Sequence, residues 1–142
     1  MFMLFQVRTD SPVPIYEQIV SQIIFAVAAG DLPAGSLIPS VRELAQQLLV
    51  HPNTVARAFQ ELERAGVVAP RRGRGMEVKA EAPARCRQVR REIVRSRIRE
   101  ALREAVASAL EPEDVYAMVQ EEWGKVNGQR SRATANRRTS DE

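Results

Sequence analysis

The chain has 142 residues, enough for one modest domain with an appendage. Apolar residues make up 44% and aromatics only 5%, so a real core is expected and it must be aliphatic. The formal net charge of +3 points to a polyanion only where cations cluster, and a single cysteine excludes a disulfide framework or a zinc knuckle within the chain.

The start, from Phe2 to Val7, is apolar and is bounded by Thr9, Asp10, Ser11 and Pro12. It predicts a short strand or an arm lying on the first helix. It lacks a basic segment and a cleavage site, so a secretory leader is not expected. No apolar run approaches the ~18 residues of a membrane span. Pro14 then opens a helix, tolerated in the first turn because its missing N–H has no partner there. Ile15, Ile19, Ile23 and Val27 recur every four residues, widened by Val20 and Ile24, and Gly30 ends the stripe. Asp31 to Pro39 holds two prolines and Gly35 and predicts a turn-rich connection, with Leu32 and Leu37 tucked into the core.

Ser40 and Glu43 have the spacing of a capping box, and Val41, Leu44, Ala45 and Leu48 follow at helical spacing. His51-Pro52 interrupts that helix, since Pro52 fits a first turn but not an interior. Val55, Ala58, Phe59 and Leu62 repeat the spacing until Gly66. Two short helices with a tight break, each burying one face, make a helix-turn-helix. Next, VVAP and MEVK flank RRGRG, which predicts a β-hairpin with a positive tip. Glu81 to Ala84, with Pro83, reads as a linker.

From Arg85 to Leu110 the pattern is helical, without Gly or Pro. At about 100° per residue, Val94, Ile98, Ala101, Leu102, Ala105, Val106 and Ala109 share one face. A stripe this long on so short a chain predicts a helix seam between two copies. After Glu111-Pro112 a second helix carries Val115, Met118, Val119 and Trp123, with Trp123 as a core plug, and Gly124 and Gly128 end it. The fold class is mostly α. A winged helix-turn-helix of three helices and a hairpin fills residues 1–80, a two-helix dimerisation region spans 85–124, and 125–142 is a disordered basic tail.

A DNA reader needs cations and N–H donors for phosphates and a few polar side chains for base edges. The second helix of the pair presents His51, Asn53 and Thr54 at its start and Arg57 one turn on. Asparagine pairs bidentately with adenine and arginine with guanine. Arg42 is placed to reach the backbone or a groove edge. Arg72, Gly73, Arg74 and Gly75 form a wing tip suited to the minor groove, where negative potential draws arginine. Arg57 also stands four residues before Glu61, the spacing of a helical ion pair. The arginines from Arg85 to Arg99 read as a solvated helix face in preference to a second DNA site, and Cys86 among them reads as an incidental thiol in preference to one activated by neighbouring cations.

The run from Ile38 to Gly66, IPSVRELAQQLLVHPNTVARAFQELERAG, resembles the winged helix-turn-helix of GntR-family bacterial transcription regulators. With PIYEQI from Pro14 and the stretches Leu37 to Ala45 and HPNTVARA, it is similar to the YtrA-type subfamily, over roughly Pro14 to Val78. The resemblance implies that Arg42 precedes a recognition helix bearing Asn53, Thr54 and Arg57, that Arg74 and Gly75 lie on the wing, and that a long and a shorter C-terminal helix pair into dimers. His51 stands where the subfamily usually has Asn, so a weaker helix cap is expected there. Glu111 replaces the Ser or Thr expected before Pro112.

The expected function is a cytoplasmic, nucleoid-associated transcription regulator: a homodimeric repressor binding double-stranded DNA at an inverted repeat near its own operon. By resemblance the regulated genes are often ABC-transporter or envelope-stress genes. No cofactor, metal or membrane is implied, and no effector is identified. An enzyme fails on inventory, with one His, one Cys and no phosphate loop, HExxH or GxSxG. The competing reading is a non-catalytic winged-helix scaffold that binds protein, against which the basic wing tip argues.

Overall fold

The computed structural model describes residues 6–139. Among these the chain forms, in order, helices α1 (Ile15–Ala29), α2 (Val41–Leu48) and α3 (Pro52–Arg64), strands β1 (Val68–Arg71) and β2 (Gly75–Val78), and helices α4 (Ala82–Ala107) and α5 (Pro112–Thr139). It is a mostly helical winged helix-turn-helix followed by two long helices. Two compact units divide at Ser96 and Arg97, inside α4.

In the first unit the four-residue stripe of α1 is the centre of the core. Ile19, Ile23 and Val27 are buried, and Leu44 of α2 and Val55, Ala58, Phe59 and Leu62 of α3 close over them. Gly30 ends α1 in the left-handed conformation, where its N–H reaches the carbonyl of Val27. Pro14 is the N-cap and Ile15 the first helical residue, one position later than the sequence suggests. The arm before α1 is held by two glutamines one turn apart. Gln22 exchanges hydrogen bonds with the backbone of Gln6 at 3.1 and 2.6 Å, and Gln18 with that of Arg8 at 2.9 and 2.9 Å. Gln6 to Arg8 thus lie along α1 outside any strand; Phe2 to Phe5 lie outside the described residues.

The hairpin pairs antiparallel, Val68 with Val78 and Arg71 with Gly75 at its ends. Its base is anchored by the connection after α1, where the sequence predicted only turns. Gly35 donates to Val78, Val78 to Ser36 and Ile38 to Met76, all at 2.8–3.0 Å, so Gly35 to Ile38 lies along β2 as a third extended segment. This corrects the expectation for Leu37. Neighbours in an extended chain point to opposite sides, so Ile38 is buried while Leu37 is 46% exposed. Leu32 is buried as expected.

The predicted linker at Glu81–Ala84 is also replaced. Pro83 sits in the first turn of α4, where proline is tolerated without loss, and the helix starts at Ala82. Ala82 and Cys86 are buried in the core of the winged unit, with Val89 and Ile93 packed against it. Arg85 reaches back to the end of α3 and donates from Nη1 to the Ala65 carbonyl at 2.9 Å. Gly66, at φ +76°, makes room for it, since a Cβ there would stand 2.2 Å from that Nη1. Burial pushes the Cys86 thiol up, because desolvation outweighs the lowering by the neighbouring Arg85 charge.

The second unit contains the end of α4, a turn with Ala109 at φ +55°, and α5. Glu113 and Asp114 occupy the first turn of α5, and Glu111 accepts from the backbone of Asp114 and Val115. The structure corrects the C-terminal expectation. α5 continues through Gly124 and Gly128 to Thr139 in place of a disordered tail from Lys125. Neither glycine adopts a positive φ, and glycine in a helix interior is a cost of about 1 kcal/mol rather than a stop. Trp123 is 71% exposed, so within one chain it plugs no core.

Candidate nucleic-acid interface

Ser40 caps α2 as its spacing predicts, its side chain accepting from the Glu43 N–H at 3.1 Å. Arg42 follows in the first turn, exposed and without an ion pair among the described residues. Leu49 ends α2 in the left-handed conformation at φ 55° and is 92% exposed, which makes the break between the helices tight.

His51 is the N-cap of α3, contrary to the weak cap expected there. Its Nδ1 accepts from the Asn53 N–H at 3.1 Å, as an asparagine oxygen does at this position. A neutral ring that accepts at Nδ1 carries its proton on Nε2, so the cap presents a ring N–H donor beside the helix start. A ranking of caps by side-chain oxygens undervalues the equivalent ring nitrogen. His51→Ala is expected to lower unfolding stability by about 1 kcal/mol, and His51→Asn to restore it. Urea unfolding of the three proteins checks this; an alanine variant as stable as the parent would remove the cap assignment.

Pro52 occupies the first turn, Asn53 is exposed and Thr54 half-buried. Arg57 is exposed and lies over the Tyr16 ring of α1, with Cζ 3.8 Å from the centroid. It does not take Glu61, which pairs with Arg64 at 2.8 Å. Arg72, Gly73, Arg74 and Gly75 form the hairpin tip, all exposed, closed by an Arg74 N–H to Arg71 carbonyl bond of 2.9 Å. Gly73 at φ +76° and Gly75 at φ +91° need the left-handed region, which explains both glycines. Arg71 is neutralised by Glu77, so the wing's free cations are Arg72 and Arg74. The α3 group and the wing group are joined by no hydrogen bond or ion pair among the described residues; they share a core through α3 and β1.

On the predicted pairing face, Val94, Ile98, Ala101, Leu102, Val106 and Ala109 are exposed and Ala105 is half-buried. Ala82, Cys86, Val89 and Ile93, earlier on the same helix, belong instead to the winged core or pack against it. Among the described residues no three His, Cys, Asp or Glu side chains converge as a metal site requires, and no helix is long and apolar enough to cross a membrane.

The profile for bacterial regulatory proteins of the gntR family matches residues 15–78, from the first residue of α1 to the last of β2. A GntR family transcriptional regulator from Listeria monocytogenes superposes with a TM-score of 0.67 at 32% identity, over 79% of this chain and 97% of its own. The chain belongs to the GntR family. YtrA from Sulfolobus acidocaldarius, a GntR-family transcription factor, is 37% identical with a TM-score of 0.53, over 69% of this chain and 96% of its own. The HTH-type transcriptional repressor YtrA of Bacillus subtilis (strain 168) is 42% identical over 79 residues, which are 56% of this chain and 61% of that protein. These similarities place this GntR-family chain with YtrA-like members. The chain thus spans less than two thirds of the length of that curated relative.

Proposed function

We propose that this GntR-family protein is a dimeric repressor that reads an inverted repeat near its own operon. The observation that carries the reading is the start of α3. There a capped helix end, the exposed amide of Asn53 and the unpaired edge of Arg57 stand together, and such a helix end is what enters a major groove. Thr54 and His51 supply further donors, Arg42 a backbone contact, and Arg72 and Arg74 a minor-groove clamp. The repressor name of the Bacillus relative favours repression over activation.

The pairing device is the free face of α4 together with α5. Large apolar side chains stand in water along it, Ile98 at 56% and Val106 at 78% exposure. A second copy of the chain is the occupant that charge favours. α4 carries eight arginines against three glutamates, whereas Glu111 to Gly124 carries five acids and no base. An α4 laid against the first half of the partner's α5, before the basic stretch that begins at Lys125, therefore adds attraction to apolar burial. We assign reading to residues 1–80 and pairing to the helices that follow, with a cytoplasmic, nucleoid-associated location following from the target.

Selection of bound sequences from a random duplex pool tests the reading. Enrichment of two inverted half-sites a fixed distance apart is expected. A pool that stays unenriched would refute it.

A further inference from the structure

Arg57 is the one base-reading candidate that another element holds in place. It is exposed on α3, and its guanidinium lies over the Tyr16 ring, with Cζ 3.8 Å from the centroid. Tyr16 belongs to the first turn of α1, is half-buried, and packs against the core. Its hydroxyl donates to Glu17 Oε1 at 3.2 Å, which holds the outer end of the ring. The carboxylate that helical spacing offers Arg57 is diverted, because Glu61 pairs with Arg64 at 2.8 Å.

Stacking uses the flat face of a guanidinium and leaves its N–H groups free, since these all lie in the plane. A guanine in the major groove presents O6 and N7, which accept two parallel N–H bonds from that edge. A long side chain otherwise loses rotamer freedom on binding, and such a stack settles part of that loss beforehand. We propose that Tyr16 is a specificity-determining positioning residue, whose ring presents the edge of Arg57 to a guanine in each half-site. The inference rests on α3 being the DNA-reading helix.

The test compares the full-length parent with Tyr16→Phe, Tyr16→Leu, Arg57→Ala and the Tyr16→Leu/Arg57→Ala double variant. Each is titrated against the selected operator and against duplexes carrying one changed base pair. Tyr16→Phe keeps an aromatic face and is expected to bind like the parent. Tyr16→Leu is expected to lose about 2- to 30-fold in operator affinity, the range of a cation–π contact from exposed to desolvated. Its discrimination should fall at the same base pair as in Arg57→Ala, and the double variant should bind no worse than Arg57→Ala. Multiplying losses, or a loss by Tyr16→Leu that is equal on every duplex, would overturn the proposal while leaving DNA reading intact. A parent that discriminates among no duplexes would overturn both. A further measurement needs no variant. In the free parent, the Arg57 side-chain protons should show upfield ring-current shifts in NMR spectra, and their absence would likewise overturn the stack.

Discussion

Replacing Ile98 and Leu102 together by aspartate is expected to give a folded monomer that releases its operator. Both residues are about half exposed in the single chain, at 56% and 43%, and neither belongs to the winged core, so aspartate there leaves that core intact. In the proposed dimer the same positions would lie in the seam, where an unpaired carboxylate costs several kcal/mol. The loss of assembly carries over to DNA binding. Two linked readers hold an inverted repeat with an avidity about 10²- to 10⁴-fold above that of one, and the monomer forfeits this factor. Sedimentation equilibrium and gel shifts on the selected operator measure the two losses separately. A double variant that stays dimeric would show that the free face of α4 is not the seam.

The second large effect concerns charge. Arg42→Ala combined with Arg74→Ala removes two cations per chain, four per dimer, neither of which serves an internal ion pair. Each such interaction with a base or a groove is worth about 1–3 kcal/mol, so a fall of at least about 100-fold in operator affinity is expected. Salt dependence should change with it. A parent that neutralises several phosphates weakens steeply between about 50 and 200 mM salt, and each phosphate left unneutralised lowers the log–log slope by about 0.9. Wild-type affinity in the double variant would cancel the assignment of these two arginines to DNA. A parent whose affinity is flat with salt would favour the protein-binding scaffold instead.

These expectations draw on parts of the chain that were unequally readable beforehand. The four-residue stripe of α1, the Ser40 cap and the glycines of the wing tip were legible, because each is decided within one turn or one loop. His51 was half legible: its position at the break was plain, but its capping acts through a ring nitrogen that a ranking by oxygens overlooks. The third segment of the wing escaped notice because Gly35–Ile38 has a single bridge and no alternating pattern. Gly124 and Gly128 were misread as stops, since a composition rule cannot tell an interior glycine from a capping one without its φ.

The sequence by itself determined helices α1 to α3, where α2 and α3 break, and which polar side chains stand at the start of α3. Local backbone chemistry and apolar spacing suffice for these. Only the tertiary structure decided what those side chains face. It seated the first turns of α4 in the winged core, buried Cys86 away from chemistry, turned Arg85 back onto the end of α3, and laid Arg57 on Tyr16 rather than beside Glu61. Such pairings join residues tens of positions apart. They are settled by how helices pack around a shared core, a choice that no local spacing records.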